Sequence, residues 1–106
     1  MSTSTPDIQK EFYTVAVTSG DGSVALPIGM AHKLLQVIVI APVSTYSYYV
    51  YIEETMDSLE IFRREDDLIG TYNEILSPCV PLFGNHTFYI TSASGDGNYK
   101  VRVVYE

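Results

Sequence analysis

Apolar and polar residues alternate one for one along much of this chain, and that period of two is the feature that most constrains its fold. Tyr99, Val101, Val103 and Tyr105 alternate with Lys100, Arg102 and Val104. Phe88 and Ile90 alternate with Thr87, Tyr89 and Thr91, and Tyr46, Tyr48, Val50 and Ile52 alternate with Thr45, Ser47, Tyr49 and Tyr51. Side chains of a strand point to opposite faces, so each segment has one face to bury against a second layer. Helix has little place here, because no window carries a 3.6-residue apolar stripe between caps; residues 29–35 have room for a single turn. The residue types agree, with nine Tyr, four Phe and no Trp among abundant Val, Ile and Thr, all suited to a pleated, half-buried surface. Seven or eight short strands at spacings of about ten residues predict an all-β domain, an antiparallel two-sheet sandwich or jelly roll.

Strands are predicted over 12–18, 24–27, 34–41, 45–53, 58–64, 86–92 and 99–105. The motif Ser19-Gly20-Asp21-Gly22-Ser23 recurs as Ser94-Gly95-Asp96-Gly97-Asn98. Its chemistry reads as two hairpin turns, the first joining 12–18 to 24–27 and the second joining 86–92 to 99–105. The 34–41 segment is apolar on both parities apart from Gln36, as expected of a central strand covered on each side. In 58–64, Leu59 and Ile61 share one face and Glu60, Phe62 and Arg64 the other. Between Glu65 and Asn85, Gly70, Pro78, Pro81 and Gly84 break the pattern, so one strand such as 70–76 and an ordered loop are expected. Residues 1–10 read as a polar arm and residues 11–106 as one domain.

Thirteen acidic against six basic side chains give a formal charge of −7. The average field therefore repels phosphate backbones and anionic lipid, and neither nucleic acid nor membrane is an expected partner. The longest apolar run, Leu34 to Val43, is about half a membrane span. A start of MSTSTPDIQKE has neither the basic n-region nor the apolar h-region of a secretory signal, so a protein made in a cytosol is expected. Cys79 stands alone in Ser-Pro-Cys-Val-Pro and reads as a structural thiol. His32 and His86 lack a nucleophile-elbow or zinc-ligand context, and each Gly-rich loop offers calcium a single carboxylate, Asp21 or Asp96. No catalytic, metal or cofactor site is predicted.

The segment with most functional content is Ser44 to Tyr51. If Tyr46 and Tyr48 point inward, Tyr49 and Tyr51 point outward with Thr45 and Ser47, and outward Tyr suits a protein interface or a sugar-stacking platform. The competing reading is that these rings only stabilise cross-strand pairs. Ile8, the apolar residue of the arm, joins Thr45, Ser47, Tyr49 and Tyr51 as a candidate interface residue. A Met start, a polar arm in Ser2 to Lys10, acidic charge, a single cysteine and Tyr-rich strands together resemble small β-sandwich proteins of tailed-phage virions, such as head decoration or cement proteins. The resemblance implies a homo-oligomer, often a trimer, bound to a capsid or other virion protein, and hence a virion location after assembly in the host cytoplasm. The alternative is a carbohydrate-binding or adhesive module, with carbohydrate as partner.

Overall fold

A computed structural model describes residues 8–26, 32–65 and 68–106. Residues 1–7 of the predicted arm and all of residues 27–31, including the start of the single turn allowed for over 29–35, lie outside the described residues. Among those described, eight strands form and no helix: β1 (Gln9–Val17), β2 (Gly22–Leu26), β3 (His32–Ile40), β4 (Tyr49–Glu54), β5 (Leu59–Arg64), β6 (Thr71–Leu82), β7 (His86–Thr91) and β8 (Gly97–Tyr105). They make two four-stranded antiparallel sheets, a first in the order β1-β8-β3-β6 and a second in the order β2-β7-β4-β5. Apart from the β4–β5 hairpin, consecutive strands alternate between sheets in a jelly-roll order, as the sequence pattern requires of segments with one face to bury.

The core lies between the sheets. Val15, Val37, Val39, Tyr99, Val101 and Val103 from the first sheet meet Tyr48, Val50, Ile52, Phe62, Phe88 and Ile90 from the second. Each such side chain contributes roughly 1.5–3 kcal/mol on burial, so the predicted parity of β4, β7 and β8 holds throughout. In β5 it does not. A bulge opposite Ile52 and Glu53 inserts one residue, so Phe62 turns inward to face Ile52 while Glu60 and Arg63 stay outside. β6 is also longer than the expected 70–76 strand and runs through Pro78 and Pro81 to Leu82. It sits at the sheet edge, where a missing N–H breaks no ladder.

The first Gly-rich loop is a tight turn only locally, with Thr18 and Asp21 exchanging backbone hydrogen bonds at 3.0 and 3.2 Å around Ser19 and Gly20, and neither loop joins two strands of one sheet. β1 and β2 lie in different sheets, as do β7 and β8, so both loops are corners that cross the sandwich. The two corners brace one another. The Asp96 carboxylate accepts hydrogen bonds from the backbone N–H groups of Ser19 and Gly20, both at 3.0 Å, and Asp21 Oδ1 accepts from the Ser92 N–H at 3.3 Å. Ala93 N–H donates to the Gly20 carbonyl at 2.9 Å. Gly95 is required here by close approach, since a Cβ on it would lie 2.2 Å from the Tyr46 ring. Turn chemistry thus marked where the chain reverses, while the inward-facing residues decided which sheet it joined.

The opposite side is closed by an ion pair between edges. Arg64 of β5 donates from Nε and Nη2 to the two carboxylate oxygens of Glu74 on β6, each at 2.8 Å, and the Tyr72 hydroxyl donates to the same carboxylate. The guanidinium holds the Glu74 carboxyl below its ordinary range.

His86 sits in the registered row Leu26–His86–Glu54–Leu59. It is buried, and its Nδ1 has no hydrogen-bond partner. Burial lowers its pKa below 6.5, opposed by the Glu54 carboxylate and the Gly84 backbone. Between the two values the unfolded chain binds the proton that the folded chain refuses, so stability contributed at neutral pH is lost as pH falls below about 6.5. The stability difference between wild type and His86→Leu is expected to stay constant above that pH and to shift against wild type below it. Urea unfolding at a series of pH values checks this, and a flat difference down to pH of about 5, where free His is charged, would refute it.

Candidate functional site

The outer face of the second sheet carries the predicted tyrosines. Ser23, Tyr89, Tyr51 and Arg63 form one registered row across its four strands, with Ala25, Thr87, Glu53 and Glu60 as the next. Tyr51 and Tyr89 stack with centroids 4.5 Å apart and planes 12° from parallel, close to the spacing of neighbouring strands, about 4.8 Å. The rings therefore stand side by side with edges and hydroxyls toward solvent. Tyr51 is closed on its other flank by the Arg63 guanidinium, 4.8 Å from the ring centroid, a cation–π contact. Arg63 also binds the carboxylates of Glu60 and Glu65. Partial burial, then the neighbouring Glu53 carboxylate, raises the pKa of both Tyr51 and Tyr89.

Of the five residues singled out from sequence, Tyr49 and Tyr51 share this face, and Tyr89 completes their cluster. Tyr89 alternates outward on β7 in the same period of two that placed Tyr51. Thr45 and Ser47 lie on the connection before β4. Thr45 is in a turn closed by Tyr46 N–H on the Val43 carbonyl, and Ser47 pairs its backbone with Ser94 and bridges Ile69. Ile8 is far along the chain and in the other layer, exposed just before β1 and two residues from Lys10.

A second face was not foreseen. Among the described residues, none supplies the expected cover on the outer side of 34–41: β3 is central in the first sheet, but Ile40 is 45% exposed there. Three registered rows cross this face, Lys10–Val104–Gln36–Ile75, Phe12–Arg102–Ile38–Asn73 and Thr14–Lys100–Ile40–Thr71. None holds an acidic residue. A groove of about 410 Å³ runs between Phe12, Ile38, Ile40, Lys100 and Arg102. Phe12 is 65% and Ile75 74% exposed, and the Arg102 guanidinium rests 4.7 Å from the Phe12 ring centroid. Val104 is buried yet stands outside the core cluster. The signal available in the sequence was the apolar character of both parities in 34–40 together with outward Phe12.

Chemically, these faces offer apolar contact, ring edges, hydroxyls and fixed charge. Among the described residues no three His, Cys, Asp or Glu side chains gather where a metal could bind, and no helix is long and apolar enough to cross a membrane. Comparison with protein-family models, curated proteins and solved structures finds no match for this chain.

Proposed function

We propose that this chain is a non-catalytic structural subunit of a virus particle, a decoration or cement protein of a phage capsid that acts through protein contacts in an oligomer. The observation that carries the reading is the open outer face of the first sheet. Exposed Phe12, Ile40 and Ile75 beside Lys10, Lys100 and Arg102 form the kind of apolar patch, rimmed by polar groups, that marks an interaction surface. Eight-stranded jelly rolls serve in viral capsid domains, and this supports the reading by fold analogy alone. They serve in lectins too. Against a sugar platform stands the edge-on stack of Tyr51 and Tyr89, whose facing ring surfaces are occupied by each other and by Arg63.

Mass analysis of virus particles purified from the source culture tests the reading. The chain is expected on capsids in a fixed copy number, released together with its oligomer. Its absence from particles, or glycan binding lost on Tyr49→Ala with no particle association, would overturn it.

A further inference from the structure

The charge of this molecule is divided between its two layers. Three of its six basic side chains, Lys10, Lys100 and Arg102, stand on the outer face of the first sheet, and none makes an ion pair among the described residues. The β4–β5 hairpin of the second sheet is the reverse. Glu53, Glu54, Asp57 and Glu60 cluster around its Thr55–Ser58 turn, and among the described residues only Glu60 of these makes an ion pair, to Arg63. The same turn holds out two apolar side chains, Met56 at 88% and Leu59 at 59% exposure. The turn is tied at its base, with Thr55 N–H donating to the Asn85 carbonyl at 2.9 Å and the Thr55 and Thr87 hydroxyls 3.2 Å apart. It is a fixed projection, apolar at the tip and acidic around it.

We propose that this chain associates with copies of itself head to tail, the Met56–Leu59 turn of one copy seating in the Phe12–Ile38–Ile40 groove of the next, with Glu54 and Asp57 facing Lys100 and Arg102. Apolar tip meets apolar groove and acidic rim meets basic rim, the complementarity that steers and fixes protein contacts. Within one chain the two surfaces cannot meet, because the sandwich core lies between the outer face of the first sheet and the hairpin of the second. Groove against groove is disfavoured, since an isologous pairing would oppose Lys10, Lys100 and Arg102 to their own copies. A heterologous contact closes into a ring or propagates as a filament. The inference rests on the assembly reading above but names the contact itself. A chain that self-associates yet is absent from particles loses that reading and keeps this contact, and a monomer found on particles does the opposite.

Sedimentation velocity on the full chain tests it with two surface variants, Lys100→Glu/Arg102→Glu in the groove and Met56→Lys/Leu59→Lys on the turn, each first shown to unfold at the wild-type temperature. Wild type is expected to grow beyond a dimer with concentration, and each variant alone to associate at least about tenfold more weakly. Mixed at equal concentration, the two are expected to form a complex that stops at one copy of each, because each retains a single competent surface. Three results would overturn the proposal: wild type that stays monomeric, a turn variant that still self-associates, or a mixture that does not pair. Should a double variant misfold, Arg102→Gln and Leu59→Gln carry the same three tests.

Discussion

Replacing Tyr48 with alanine is expected to cost about 3–5 kcal/mol of stability, the range seen when a buried aromatic ring is removed. The side chain is 1% exposed and contributes one of the largest fully buried volumes in the core. Its ring stands edge-on to Tyr99 with centroids 5.4 Å apart, an arrangement that adds to area burial. Its hydroxyl donates to the Gly70 carbonyl at 2.8 Å, and burial, followed by the Tyr99 phenol, raises its pKa far above the ordinary value. The phenol therefore stays protonated and keeps donating. Tyr48→Phe separates the two contributions. It keeps the ring and loses the bond, and about 1 kcal/mol is expected, because the Gly70 carbonyl retains the Ala41 N–H at 3.0 Å. Urea unfolding of both variants gives the comparison through the shift in midpoint at constant slope. An alanine variant within about 1 kcal/mol of wild type would show that the site collapses around the void.

Tyr48 also illustrates which part of this fold is legible in the sequence. Its parity was, because an alternating segment with Tyr46, Tyr48, Val50 and Ile52 on one side has a single sensible inward face, and Tyr48, Val50 and Ile52 are all buried. The partner strands were not. A glycine-rich turn such as Ser94 to Asn98 reverses the chain equally well within a sheet or across a sandwich. What decided between them was the long-range fit of β8 between β1 and β3, together with the Asp96 carboxylate reaching back to Ser19 and Gly20. Neither leaves a trace in local spacing. The bulge that turns Phe62 inward is similarly invisible, because it depends on the register of the partner strand.

The candidate surfaces divide the same way. Tyr49 and Tyr51 were placed outward by parity alone, but whether their rings lie flat or stand on edge depends on Tyr89 and Arg63, which come from other strands. The groove face was harder, since an apolar strand with no polar side ordinarily signals a second covering layer. The rule describes what such a face requires rather than what one chain supplies. In β3 the inner side is covered by the second sheet, and the outer side, with Ile38 and Ile40, faces outward beside Lys100 and Arg102. That outer side, uncovered among the described residues, is thus the physical argument for a partner there.

Gly70→Ala is expected to cost about 2–4 kcal/mol, from two causes that add. Gly70 has φ of +66°, which costs an L-residue roughly 1–2 kcal/mol. A Cβ would also lie 2.6 Å from the Ser44 carbonyl oxygen, a backbone atom that cannot rotate away. The surrounding bonds resist relaxation. Gly70 N–H donates to the Tyr46 carbonyl at 2.9 Å, while its own carbonyl holds Ala41 N–H and the Tyr48 hydroxyl, so moving the residue loosens the connection before β4 and the core at once. Gly84 supplies the control. It has φ of +78° and nothing within 4 Å of the added carbon, so Gly84→Ala is expected to show the conformational cost alone, about 1 kcal/mol. Thermal or urea unfolding of the two variants measures the difference, and equal losses would show that the Ser44 contact relaxes without cost. Combining Gly70→Ala with Tyr48→Phe gives a sharper result. If the shifted Gly70 carbonyl has already left the Tyr48 hydroxyl, the double variant should lose less than the sum of the singles by about 0.5–1 kcal/mol, since the second change removes a bond already broken.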